Sequence, residues 1–328
     1  MPSNDQRLTA RLRALENDPT LPELEKTLSE ALASVNNRLV GRAAAIVGQH
    51  QLECFIDDLR TAYERFLENP LKTDRGCEAK IPLCEALRQL EYDDADFFLE
   101  GIHYRQHEPA YNDQRYVDTA AELRAICGFA LTQLNDSRAM SELVDLLGDP
   151  EKTARAGAAR AIAHARGQAS ELLLRLKIDL GDSKPEVLGE CFAGLLRIDP
   201  RGGIERIARF LEHPNEDVCC EAALALGESR TEAAFAPLRQ QADRRHGRDF
   251  ENVLLTSIGL LGISQSVDYL LQVVTGPDVG AAIAAVRALR HCRDPRSFGQ
   301  RLLKAVAQTG NRQIDQVCAE EFPEMTTL

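Results

Sequence analysis

Apolar positions along the chain recur with helical rather than strand spacing. Leu143, Leu146 and Leu147 form one stripe at i, i+3 and i+4, and Ile204, Ile207, Ala208 and Leu211 form another. Between such stripes lies a second, smaller pattern. The segment Glu221-Ala-Ala-Leu-Ala-Leu-Gly227 matches Gly157 to Ala163, Glu190 to Leu196, Thr256 to Gly262 and Ala284 to Arg290, and more weakly Ile126 to Thr132. The matches end at positions 132, 163, 196, 227, 262 and 290, which are steps of 31, 33, 31, 35 and 28. That period belongs to a two-helix repeat. Arg42 to Gly48 and Leu83 to Leu87 look like earlier, looser copies of the second helix.

Start signals support the same division. Asp149-Pro150 reads as a capping carboxylate before a first-turn proline, and Ser183 to Glu186 and Thr119 to Glu122 read as capping boxes. His213-Pro214-Asn215 and Gly276-Pro277-Asp278 mark the boundary in later copies. One helix pair cannot bury its apolar side alone, whereas stacked neighbours share a core. The expected fold is therefore all-α, a right-handed α-solenoid of about eight helix pairs. A single continuous solenoid over 1–328 is expected. It would comprise an N-terminal cap and first helix (1–36), irregular repeats (37–134) with a rim insertion at 103–118, regular repeats (135–308), and a C-terminal cap and tail (309–328), frayed from Pro323 to Leu328.

The Ala-Leu-Ala-Leu-Gly run, the Asp-Pro turn and the step lengths resemble HEAT repeats, in the short form shared with phycobilisome-lyase-like proteins. The resemblance covers about Leu39 to Leu303. It implies a HEAT-like fold, and a role among scaffolds, adaptors, chromophore lyases or iron hydroxylases. The hydroxylases place several His-Glu dipeptides on their repeats. Here there is one, His107-Glu108; His213 follows Glu212 in reversed order, and His50, His164, His246 and His291 have no adjacent Glu. The HEAT-like glycosylases need a basic groove with aromatic side chains, and this chain has no Trp.

Charge narrows the choice further. There are 39 Lys+Arg against 51 Asp+Glu, a net charge of -12, which disfavours nucleic acid as a partner. The nine Cys include no C-x-x-C, and most occupy apolar helix positions, as in a reducing compartment. No apolar run nears the ~20 residues that span a bilayer, and Met1 to Arg13 lacks the apolar stretch of a signal peptide. A cytoplasmic protein without a membrane segment is expected. No phosphate-binding loop or Gly-x-Ser-x-Gly is present; Arg201-Gly202-Gly203 reads as a helix junction. No catalytic residue, cofactor or metal is expected.

Two surfaces are candidates for binding. Outward positions of the second helices fall at i, i+4, i+7 and i+11 and would line the concave side. One repeat offers Thr153, Gly157, Arg160 and His164. The next two offer Glu186, Glu190, Ala193 and Arg197, then Asp217, Glu221, Leu224 and Glu228, five carboxylates against one Arg. Such a face suits a protein or peptide with a basic segment. Earlier in the chain, Arg38 and Arg42 would project opposite Glu78 and Glu85, as a charge gradient or as cross-repeat ion pairs.

The second candidate is the insertion after the helix ending near His103, about fifteen residues without evident secondary structure. Tyr104, His107, Tyr111, Arg115 and Tyr116 would make it a recognition loop; alternatively it covers its own repeat. His103 and His107 share a face only if the helix continues, and Pro109 argues against a metal site there. The function expected from these surfaces is a non-enzymatic scaffold or adaptor binding a protein through the groove and the rim loop. The alternative is a chromophore- or ligand-handling protein of the HEAT-like lyase type.

Overall fold

The computed structural model describes residues 4–17, 23–110, 115–292 and 294–323. The chain divides into two compact units, Met1–Ala165 and Arg166–Leu328. In each, the helices pair and stack as an all-α solenoid.

The first unit runs α1 (Asn4–Asn17), α2 (Leu24–Leu32), α3 (Asn37–Gln49), α4 (Ile56–Leu67), the short α5 (Pro70–Thr73), α6 (Lys80–Gln89) and α7 (Ala95–His103). A two-stranded ribbon follows, β1 (His107–Pro109) and β2 (Tyr116–Asp118), and then α8 (Ala121–Gln133), α9 (Ala139–Leu146) and α10 (Lys152–Ala165). The second helices α3, α6, α8 and α10 pack in succession, and their partners α2, α4, α7 and α9 lie against them.

The second unit contains α11 (Gln168–Leu180), α12 (Pro185–Ile198), α13 (Pro200–Ala208), α14 (Glu216–Glu228) and α15 (Phe235–Ala242). It continues with α16 (Arg248–Leu261), α17 (Ser264–Val274), α18 (Val279–Leu289), α19 (Pro295–Thr309) and α20 (Arg312–Glu321). Here α12, α14, α16, α18 and α20 pack one on the next, with the odd-numbered helices as their partners.

Every copy of the sequence run falls on a second helix, because its small residues are what this layer needs. A β-carbon on Gly227 of α14 would sit 2.5 Å from the Ser257 carbonyl oxygen of α16. Gly259 is sealed in the same way by the Ala288 backbone of α18. The stripes of the first helices are buried as their spacing requires, with Leu143, Leu146, Ile204, Ile207 and Leu211 all in the core. The C-terminal end is held by Phe322, fully buried with its ring 6.2 Å from that of Phe298. The frayed tail expected from Pro323 lies, beyond that residue, outside the described residues.

Local start signals were only partly right. Asn215 accepts from the Asp217 N–H and Asp278 from the Ala281 N–H, so both cap their helices as expected. The two capping boxes do not form. The residue before α12 is Lys184, without a side-chain cap, because Pro185 already occupies the first turn and has no N–H to satisfy. Thr119 turns its hydroxyl to Glu108 instead. Pro150 lies outside α10, which begins at Lys152. Arg201-Gly202-Gly203 is the first turn of α13, capped by the Asp199 carboxylate, rather than a junction. The insertion also carries secondary structure of its own, with His107, Glu108 and Pro109 paired to Asp118, Val117 and Tyr116.

Candidate functional site

On the second unit, neighbouring second helices bring one sign of charge together. Glu186 and Glu190 stand on α12, and Asp217, Glu221 and Glu228 on α14. Glu186, Asp217 and Glu228 are exposed, and Glu190 and Glu221 are half-buried. The Glu221 carboxylate lies across Gly189 of α12, where any side chain would collide with it. Burial pushes the Glu221 carboxyl up, and the charges of Glu186, Glu190, Glu228 and Asp217 push it further. Next to this cluster is an open cleft of about 470 Å³, with Ala193, Leu196, Pro200 and Ala225 on its walls and Arg197 and Glu228 among its polar lining. Exposed Arg197 donates to the Ala193 carbonyl, 3.4 Å away.

Arg160 belongs to the first unit. It is exposed on α10 and shares a shallow cleft of about 200 Å³ with Glu85, Arg88, Glu122 and Phe129. Of the early charges, Arg38 and Glu78 do form a cross-repeat ion pair at 2.7 Å, while Arg42 binds Glu16 at 2.8 Å and Glu85 binds Arg88.

The insertion is built from its base outward. Glu108 of β1 points inward and accepts from the Gly76 N–H at 2.7 Å, the Gln106 amide at 2.7 Å and the Thr119 hydroxyl at 2.8 Å. Burial pushes its carboxyl up, but these donors and Arg75 outweigh it and hold the group below its usual range. Asp118 of β2 behaves likewise. Burial raises it, while the Gln106 and Ala120 N–H groups and Arg124 bring it below the ordinary value. Tyr104 also faces inward, donating its hydroxyl to Gln106 at 2.8 Å with its ring 5.5 Å from the Lys80 ammonium. Of the five residues expected to make contacts, His107, Arg115 and Tyr116 are exposed, Tyr104 is committed to the interior, and Tyr111 lies outside the described residues.

Beneath the ribbon is a buried charge network that the sequence reading did not find. Arg124 of α8, fully buried, donates to both oxygens of Asp149 at 2.9 and 3.0 Å and to Asp118 at 2.7 Å. Arg105 adds a bond to Asp149 at 3.0 Å. Alongside, Lys80 and Asp74 form a fully buried ion pair at 2.8 Å, and Asp74 also accepts the Ala79 N–H. The available signal was an arginine set among apolar neighbours in the run from Ala121 to Ala130, where a charge needs a buried partner.

His103 ends α7 and its Nε2 is 3.0 Å from Glu142, while His107 stands on β1; the two do not share a helix face. Among the described residues, no group of three or more His, Cys, Asp or Glu side chains is placed to hold a metal ion. The nine cysteines are free thiols. Burial pushes Cys191 up to about 12 and Cys292 to about 11, as befits small apolar fillers rather than nucleophiles. No described helix is long and apolar enough to cross a membrane.

No family model matches the chain, and no curated protein matches it. Solved structures similar to it include the complex of CpcE and CpcF of phycocyanin lyase from Nostoc sp. PCC7120. That match has 16% identity and a TM-score of 0.37 over 75% of this chain and 94% of the other. Human deoxyhypusine hydroxylase in complex with glycerol matches at 19% identity and a TM-score of 0.32, over 77% of this chain and 90% of its own. An engineered protein matches at 17% identity and a TM-score of 0.36, over 97% of this chain and 91% of its own. At these identities and scores the likenesses assign neither a family nor an activity.

Proposed function

We propose that the chain is a non-enzymatic scaffold or adaptor that binds a protein, with the α12–α14 face of its second unit as the principal contact. The observation that carries this reading is the environment of Glu221, a half-buried carboxylate whose proton affinity is raised first by burial and then by the charges of four other carboxylates gathered around it. Gathering like charges in this way costs stability, so the arrangement is better suited to recognition than to folding. A basic or amphipathic segment would set its cations against these carboxylates and its apolar side chains in the cleft beside Ala193 and Ala225. On the first unit, His107, Arg115 and Tyr116 of the ribbon would supply a second contact. Nucleic acid has no place in this reading.

The test is a pull-down from lysate of the native organism, with wild type beside a Glu190→Lys, Glu221→Lys double variant, and circular dichroism to check that both are folded. A stoichiometric protein partner is expected with wild type, released by moderate salt and absent with the variant. A partner held equally by both would remove this face from the reading. Titration with free bilins, followed by absorbance, tests the ligand-handling alternative, for which no residue of the described clefts is diagnostic. A saturable spectral shift without a protein partner would favour it.

A further inference from the structure

Cys84 of α6 and Cys127 of α8 face one another inside the first unit. Their sulfurs are 3.4 Å apart, in hydrogen-bond contact, and both side chains are fully buried. A disulfide bond is about 2 Å long, so small side-chain rotations on two helices already packed together cover most of the difference. Other thiols of the chain have partners of a different kind. Cys77 meets the Thr119 hydroxyl, Cys219 the His213 carbonyl and Cys292 the Gly259 carbonyl. A small apolar filler has no need of a second thiol against it. Solvent also comes close to the pair. Glu85, Ala125 and Ile126 line the open cleft of about 200 Å³ on this unit, and Glu85 and Ile126 are chain neighbours of the two cysteines.

We propose that this pair is an oxidation site, where hydrogen peroxide converts the two thiols to a disulfide that ties α6 to α8. One thiol loses its proton and attacks the peroxide; an S–O bond forms, the O–O bond breaks, and water leaves. The second sulfur then attacks the sulfenic sulfur, the S–S bond forms, and a second water is released. Two thiols and one peroxide thus become one disulfide and two waters. Burial pushes the Cys84 thiol well above its ordinary range, so the first step is slow at neutral pH. The second is fast, because the attacking sulfur is already in place. The effect follows from what the bond encloses. The two cysteines are 43 positions apart, and the chain between them contains α7 and the ribbon. The helices joined carry Lys80 and Arg124, the fully buried cations of the charge network. Oxidation closes a loop in the unfolded chain and leaves the folded surface as it was, so it strengthens the first unit. This inference does not rest on the partner-binding reading, since neither helix carries a carboxylate of the Glu221 cluster.

The test treats the reduced full chain, freed of reductant, with excess hydrogen peroxide under native conditions. Free thiols are then alkylated and the chain is digested with trypsin without reduction. The expected product is the peptide Ile81–Arg88 joined to Ala125–Arg138, lighter by two hydrogens than the separate peptides. The oxidised chain is expected to unfold its first unit at higher urea, with the unfolded population of that unit lowered on the order of a hundredfold. Dithiothreitol reverses the shift. Cys84→Ala forms no link and shows no peroxide-dependent shift, each variant being compared with its own reduced form so that lost packing does not enter. Absence of the joined peptide while the exposed Cys54 is oxidised overturns the proposal. So does a digest in which Cys84 is joined to other cysteines as often as to Cys127. A link that forms without moving the urea transition overturns the stabilising role.

Discussion

Glu221 and Arg124 show opposite treatments of charge by single side chains. The Glu221 carboxyl is raised, so the folded chain holds more protons than the unfolded chain between the ordinary carboxylate value and the raised one. Stability from this group therefore falls as pH rises through that window. Glu221→Gln is expected to stabilise the fold at pH 7, by up to about 0.5 kcal/mol once solvent screening is allowed for. Urea melts at pH 5 and pH 7 check it, and a gain that does not shrink towards pH 5 would contradict the like-charge account. Arg124 is fully buried and serves two carboxylates. Arg124→Met leaves Asp118 and Asp149 buried with fewer partners and is expected to cost about 3–5 kcal/mol, read as a large drop in urea midpoint. The sequence made these two residues unequally legible. Glu221 lies on a repeated position whose outward direction follows from helical spacing. Asp149 looked like an ordinary cap, and it does accept the Glu151 N–H, but its second role depends on an arginine 25 residues earlier. Contacts across repeats leave no local signature.

At the level of elements, the repeat was readable because one physical requirement recurs. Successive second helices approach closely enough to demand small residues, and the same run therefore appears in each. Gly227→Ala places a methyl against the Ser257 backbone and is expected to destabilise by about 1–3 kcal/mol, although alanine is the better helix former. Chemical denaturation of the variant decides between the two effects. The ribbon was only half legible. Its position between helices could be read from the break in period, but not its pairing, because three-residue strands carry too little alternation to be recognised. Its inward residues hold the network together, whereas Tyr116 is 69% exposed. Tyr116→Ser is therefore expected to change stability by less than about 0.5 kcal/mol. If the ribbon also contacts a partner, the same substitution weakens binding with the melting curve unmoved. A large loss of stability would instead make the whole ribbon a cover for its repeat.

Over the whole molecule, the net charge of -12 and the buried carboxylates act in opposite directions as pH falls. From pH 7 towards pH 5, protonation of the raised Glu221 carboxyl begins to relieve repulsion on the acidic face, and stability is expected to hold or rise slightly. Glu108 and Asp118 respond later. Both are held below their ordinary values in the fold, so their stabilisation is present above the unfolded-state values and is lost as pH drops through the folded ones. Acid unfolding should therefore be governed by the ribbon network of the first unit rather than by the acidic face of the second. Glu108→Gln isolates this contribution, since it keeps the shape of the side chain while removing the charge that Gly76, Gln106 and Thr119 stabilise. Its urea midpoint is expected to lie well below that of wild type at pH 6, and the gap to close as pH falls below the ordinary glutamate range, where the wild-type carboxylate at last becomes protonated. A gap that stayed constant over that range would mean that packing of the ribbon, rather than its charge, holds this part of the fold.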